Sequence, residues 1–177
     1  MKQITMFALT AALLGVAAAL PAGDAAAQRK QQVVFKVDPA NSKYTQQYVI
    51  DVGDVPGHKV RLFEIRRSFP NNSPVINGMK IVESWTRGVS DYIDNNGPAV
   101  VYHVYVAENG DKFFAQSSTV ATQVPGTTKF TGTTVGPITG GTGNFAGIQG
   151  LVRVSISADP ASGANETEVG IEYWFTR

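Results

Sequence analysis

Residues 136–150, GPITGGTGNFAGIQG, place six glycines between two segments that alternate at period two. Glycine alone reaches positive φ without a Cβ clash, so such a cluster marks a sharp, tightly packed reversal of the backbone. Ile138, Phe145 and Ile148 inside it argue for packing, because a flexible Gly/Ser linker has no use for a phenylalanine. The flanking segments, 127–135 (TTKFTGTTV) and 151–158 (LVRVSISA), read as strands. The stretch is therefore a structured corner, with Gly141 and Gly143 expected at positive φ. Gly141-x-Gly143-x-x-Ala146 fits the dinucleotide fingerprint, but that motif must open a helix, and a strand follows here. The Gly-Lys-Ser/Thr of a P-loop is absent. No nucleotide and no other cofactor is expected.

The rest of the chain agrees with an all-β reading. Segments 33–38, 45–52, 59–67, 79–86, 99–107, 112–122 and 168–176 are rich in Val, Ile, Thr, Phe and Tyr. Turn chemistry separates them: Pro56-Gly57, Asn77-Gly78, Asn95-Asn96-Gly97, Asn109-Gly110 and Ser162-Gly163. Asn109-Gly110, between YHVYVA and KFFAQS, suits a two-residue type I′ hairpin. A short helix around 89–94 is the only helical candidate beyond the leader. Eight or nine short strands in one domain point to a closed barrel or a sandwich. Segment 99–107 is apolar or aromatic on both faces, which suits a barrel with an interface.

The amino terminus has the form of a secretory signal peptide. Lys2 precedes the apolar run 4–20, and Ala25-Ala26-Ala27 offers a cleavage site before Gln28. Cleavage at Ala27 leaves about 150 residues, one β-barrel domain over 28–177, exported to a periplasm or beyond and no longer attached to a membrane. There is no cysteine, so hydrophobic packing carries the fold without disulfides. Fifteen Lys+Arg against fourteen Asp+Glu give no basic patch of the kind nucleic-acid binding needs. Two separated histidines and no cysteine speak against zinc. No Ser-His-Asp grouping is recognisable.

The corner resembles the Gly-rich turn of the allene oxide cyclase and dirigent-protein superfamily, where a G-G-x-G-x-F-x-G-x-x-G run joins two late strands. Gly140, Gly141, Gly143, Phe145, Gly147 and Gly150 fill every position of that pattern. The resemblance implies an antiparallel eight-stranded β-barrel, a small apolar or phenolic ligand held inside it, and assembly into homotrimers.

Glu64 is the candidate site residue. It lies within RLFEIRR on the same strand face as Val60 and Leu62, and a carboxylate facing a barrel interior is desolvated unless paired. The string Phe63-Glu64-Ile65-Arg66 also resembles the first barrel strand of allene oxide cyclases, in which an aromatic-Glu-Ile-Asn run points the glutamate and asparagine into the cavity. Arg66 stands where the family has asparagine, and the family's pocket cysteine cannot exist here, so the resemblance does not extend to allene oxide cyclisation itself. Steering or cyclising a bound molecule stays open, with Glu64 as the catalytic candidate. The expected ligand-binding set is Glu64, Arg66, Leu62, Tyr102 and Arg153. The alternative is a structural ion pair of Glu64 with Arg66 or Arg153, in a non-catalytic carrier or packed barrel. His103 is expected to be a satisfied or interfacial histidine and His58 an exposed turn residue.

Overall fold

The structure, a computed structural model, describes residues 29–159 and 164–176; the expected signal peptide lies outside them. Ten strands follow one another: β1 (Gln31–Val37), β2 (Ser42–Asp51), β3 (His58–Ser68), β4 (Val75–Ile76), β5 (Met79–Ile93), β6 (Gly97–Ala107), β7 (Lys112–Gln123), β8 (Phe130–Gly141), β9 (Ile148–Asp159) and β10 (Ala164–Phe175). Every pairing is antiparallel, in the order β1-β10-β9-β8-β7-β6-β5-β3-β2, with β4 paired to β5. The described residues contain no α-helix, only single 3-10 turns at Pro39–Asn41 and Gly143–Phe145. The helix expected around 89–94 is instead the end of β5. Its side chains alternate strictly, with Ser90 buried and Val89 and Asp91 exposed, which a helix would not allow.

The described residues form ten strands rather than the expected eight, and among them no pairing joins β1 to β2 to close a barrel. The sheet nevertheless curls far round. Val37 of β1, Tyr44 of β2 and Thr134 of β8 border a single cavity on its concave face.

The two ends of this concave face differ. At one end the apolar core is fully packed: Ile76, Ile81, Phe113, Phe145, Ile148, Val152, Ile171 and Tyr173 are all 2% exposed or less. The corner belongs to this end. It is shorter than the sequence suggests, because β8 runs on to Gly141 and β9 starts at Ile148. Phe145 turns inward and meets Phe113 edge-on, with ring centroids 5.2 Å apart. Gly143 has φ +53°, but Gly141 is not at positive φ. Gly141 is required for a different reason: a Cβ there would strike the backbone oxygen and Cβ of Phe145. Gly140, Gly147 and Gly150 complete the positive-φ set.

The hairpins also redistribute the turn types. Asn77 and Gly78 both have positive φ, as a type I′ turn requires, and close β4 on β5. At Asn109-Gly110 only Gly110 does, and paired bonds between Ala107 and Asp111 or Gly110 make a three-residue loop.

Candidate functional site

Strand parity decides which side chains can meet a ligand. On β3 the concave face carries Arg61, Phe63, Ile65 and Arg67, all bordering the cavity. Val60, Leu62, Glu64 and Arg66 therefore lie on the convex face, the reverse of the expected orientation. The neighbouring strands show why. Phe63 stands opposite Gly88, and Ile65 opposite Thr86, so the bulkier pair of β3 turns toward small residues on the crowded side.

Glu64 is still buried, at 6% exposure, but beneath a thin layer of side chains on the outer surface. Its carboxylate accepts hydrogen bonds from Thr45 Oγ1 at 2.5 Å, Arg66 Nε at 2.8 Å and Arg87 Nε at 2.6 Å. Thr45 reaches it because a β-bulge between Tyr44 and Gln46 takes that residue out of register. The hydroxyl of Thr45 first, then the two guanidinium groups, hold the Glu64 carboxyl at about 2. Both arginines also stack on Trp85, 4.9 and 4.8 Å from the ring centroid. The ion-pair alternative for Glu64 is what the structure shows, with Arg66 and Arg87 as partners. Arg153 is exposed on β9 and takes no part. Leu62 and Tyr102 are each 53% exposed on the convex face. None of the five expected ligand-binding residues borders the cavity.

The cavity has a volume of about 320 Å³. At one end stand Arg61, Tyr92, Asn95, Phe130 and Asp159, all half-buried. Asp94 and Asn95 form the β5–β6 turn at positive φ, which places Asn95 at this rim. The side chains are more deeply covered toward the packed core. Phe63, Ile65, Val101 and Val154 form apolar walls, each 8% exposed or less. The floor is a concave row that crosses the sheet from Arg67 to Ser84, Tyr105 and Phe113. Tyr105 stacks on Phe113 with centroids 4.5 Å apart, sealing the cavity from the core below.

The floor is polar. Arg67 Nη1 donates to Thr86 Oγ1 at 2.7 Å. That oxygen lies 3.3 Å from His103 Nδ1. The Thr86 oxygen has two lone pairs, so its bond from Arg67 is compatible both with Thr86 O–H donating to Nδ1 and with Nδ1–H donating to Thr86. His103 Nε2 is buried and has no partner among the described residues. Burial first, and the charge of Arg67 second, push His103 down to about 4, so the ring is neutral near physiological pH. Burial also raises the Tyr105 hydroxyl and lowers Arg67 from their ordinary values.

Sequence reasoning passed over Arg67 and Thr86 because it put the wrong face of β3 inside. It expected His103 to be satisfied or interfacial, whereas one ring nitrogen is buried in the floor without a partner among the described residues. Among the aromatic residues, Tyr105 borders the cavity, Phe113 and Tyr173 pack in the core, and Trp85 and Tyr102 stand outside.

The sequence matches no protein-family model and no curated protein. Among solved structures, pyocyanin demethylase is a distant match: 18% identical, TM-score 0.39, aligned over 78% of this chain and 99% of that one. At that distance neither fold nor activity is read across.

Proposed function

We propose that this protein binds a small, largely apolar molecule in the cavity on the concave face of its sheet. One observation carries the reading: a walled space of about 320 Å³ remains unfilled above a core that is otherwise packed to near-zero exposure. Ligand sites commonly enclose about 300–1,000 Å³, with apolar walls and a few convergent polar groups. Phe63, Ile65, Val101, Val154 and Phe130 supply the walls here, and Arg67, Thr86 and Tyr105 the polar groups. The Gly-rich corner's likeness to the allene oxide cyclase and dirigent superfamily supports the same reading, since those proteins hold small apolar molecules. Steering a bound molecule needs only such a shaped pocket and fixed donors, so a dirigent-type role is compatible with it. Glu64 has no part in it from the convex face.

The test is binding of a neutral fluorescent apolar probe, N-phenyl-1-naphthylamine, to wild type and to Val101→Trp, which fills the space. Saturable binding that Val101→Trp abolishes, with the fold retained, supports a cavity ligand. Equal binding by both proteins refutes it.

Export and oligomerisation belong to the same proposal. The A-x-A site at Ala27 supports export, and N-terminal sequencing of exported protein should begin at Gln28. Oligomerisation, with a trimer as the expected form, is supported by an apolar row on the convex face. There Tyr48, Leu62, Val89 and Val100 stand side by side in register across four strands, each at least 44% exposed. Light scattering should return a multiple of the chain mass, and Leu62→Glu should lower it.

A further inference from the structure

We propose that the cavity takes an amphipathic monocarboxylate, head first, with the carboxylate on Arg67 and Tyr105 at the floor and the apolar body along Phe63, Ile65, Val101 and Val154. This rests on the cavity being a ligand site and adds the chemical class of the ligand.

Three observations support it. The first is an excess of donors at the floor. A guanidinium has five N–H donors, and among the described residues Arg67 uses one, to Thr86. It forms no ion pair with any described carboxylate. Tyr105 is 3% exposed, and its hydroxyl makes no hydrogen bond to any described residue. Acceptors are scarce at the same place. The Thr86 oxygen accepts from Arg67, His103 Nδ1 lies against that same oxygen, and the Ser84 hydroxyl, which both donates and accepts, is the further acceptor of the floor row. A carboxylate brings only acceptors and would satisfy both Arg67 and Tyr105.

The second is charge. Arg61 and Arg67 border the cavity against one carboxylate, Asp159, which accepts from Thr128 Oγ1 at 2.6 Å. With His103 neutral, two cations and one anion leave the lining at +1. An enclosed space of low polarity magnifies that excess.

The third is the arrangement of polar and apolar surface. Arg67 lies six residues along β3 from Arg61 at the rim, about 20 Å of strand. Between these positions β3 offers only Phe63 and Ile65 to the cavity, and Val101 faces them from β6. The polar floor and the apolar side chains above it match a molecule with one charged terminus and an apolar body, and the Thr119 and Thr134 hydroxyls that also border the cavity are bonded to each other at 2.7 Å. A neutral molecule leaves the Arg67 charge unanswered, and a dianion overcompensates the single net positive charge of the lining.

Titration calorimetry with octanoate, decanoate and dodecanoate against octanol, decanol and dodecanol tests the assignment. At least one acid should bind wild type about tenfold more tightly than its matched alcohol, as a charge-assisted hydrogen bond implies. Arg67→Gln should bring the acid to the affinity of the alcohol and leave the alcohol's own affinity unchanged. Should Arg67→Gln not fold, Tyr105→Phe, which removes only the hydroxyl, should weaken the acid several-fold and spare the alcohol. Acids and alcohols bound equally by wild type would overturn the carboxylate assignment and leave the cavity reading standing. An Arg67→Gln protein with a lower melting temperature but the wild-type preference for acid would assign Arg67 to structure and overturn the proposal. If no acid or alcohol binds, the carboxylate assignment falls. The naphthalene-probe experiment with Val101→Trp then decides separately whether the cavity reading falls with it.

Discussion

Replacing Glu64 with glutamine tests whether its network is a surface device or a buried one. The carboxyl is held at about 2 against an ordinary 4.5. At about 1.4 kcal/mol per pKa unit, that difference sets a ceiling of roughly 3 kcal/mol on its contribution to stability. The ceiling is not reached. Arg66 and Arg87 have side chains 42% and 45% exposed, so water already solvates both cations. Ion pairs in that setting contribute about 0–1 kcal/mol. Glu64→Gln keeps the shape and one acceptor oxygen, and urea unfolding near neutral pH should show a loss of about 1 kcal/mol. The pH dependence has a definite sign. Because the folded-state value is depressed, the contribution is complete above 4.5 and disappears as pH falls through about 2. Wild type and variant should therefore converge in acid. Ligand affinity should not change, since the residue lies on the convex face. A loss of about 3–5 kcal/mol, as for breaking an ion pair within a core, would refute the surface account. Lost cavity binding with stability retained would refute the strand parity on which it depends.

Other substitutions probe the corner and the histidines. Gly143→Val forces a side chain into φ +53° and against the Asp111 carboxylate that accepts from the Asn144 backbone at 2.9 Å, so thermal or urea unfolding should register about 1–3 kcal/mol of strain. Gly150→Val should cost more, because its Cβ would meet the backbone oxygen of Glu172 on the paired strand, and soluble yield is a sufficient measure. His58 and His103 should respond to pH in opposite directions. His58 is raised by its hydrogen bonds to Asp91 and then Asp54, so its contribution is present below 6.5 and is lost as pH rises through its folded value. His103 is lowered to about 4, so folding loses stability as pH falls from 6.5 toward that value. Melting curves of His58→Gln and His103→Gln against wild type across this range should show differences that grow toward acid for the first and toward neutral pH for the second. Slopes of the same sign in both variants would contradict one of the two environments.

The strands were legible because their apolar residues alternate, and the corner because Phe145 lies among glycines, four of them at positive φ. The inner face of β3 was not legible. Its two faces are nearly balanced, with Val60, Leu62, Glu64 and Arg66 against Arg61, Phe63, Ile65 and Arg67. A one-residue change of parity exchanges them completely. The deciding information is cross-strand: Gly88 and Thr86 on β5 leave room for Phe63 and Ile65, and no local pattern in β3 reports that. The error carried to Leu62, Glu64 and Arg66, which share one face of β3, and to Tyr102 on β6 and Arg153 on β9, which were joined to that set.

The concave face shows what a sequence can reveal once parity is known. Burying an unpaired guanidinium in a packed interior is costly, so inward arginines are tolerated only where the interior is not filled. On β3 they occur at 61 and 67, both bordering the cavity. The rows nearer the corner are filled by Phe113, Phe145, Ile148, Val152, Ile171 and Tyr173 and carry no charge, and there the core is closed. Tyr173 lies in that closed region because both functions of its hydroxyl are used: it accepts from the Asn77 backbone and donates to Gln31, each at 2.8 Å. Tyr105, one layer above, has no such partners among the described residues and borders the open space. The contrast between the two tyrosines separates core from site more sharply than exposure does, since both are at most 3% exposed. A buried hydroxyl with its partners in place belongs to the fold. The Tyr105 hydroxyl, in one row with an arginine that uses one of its five donors, is the feature on which the carboxylate proposal rests.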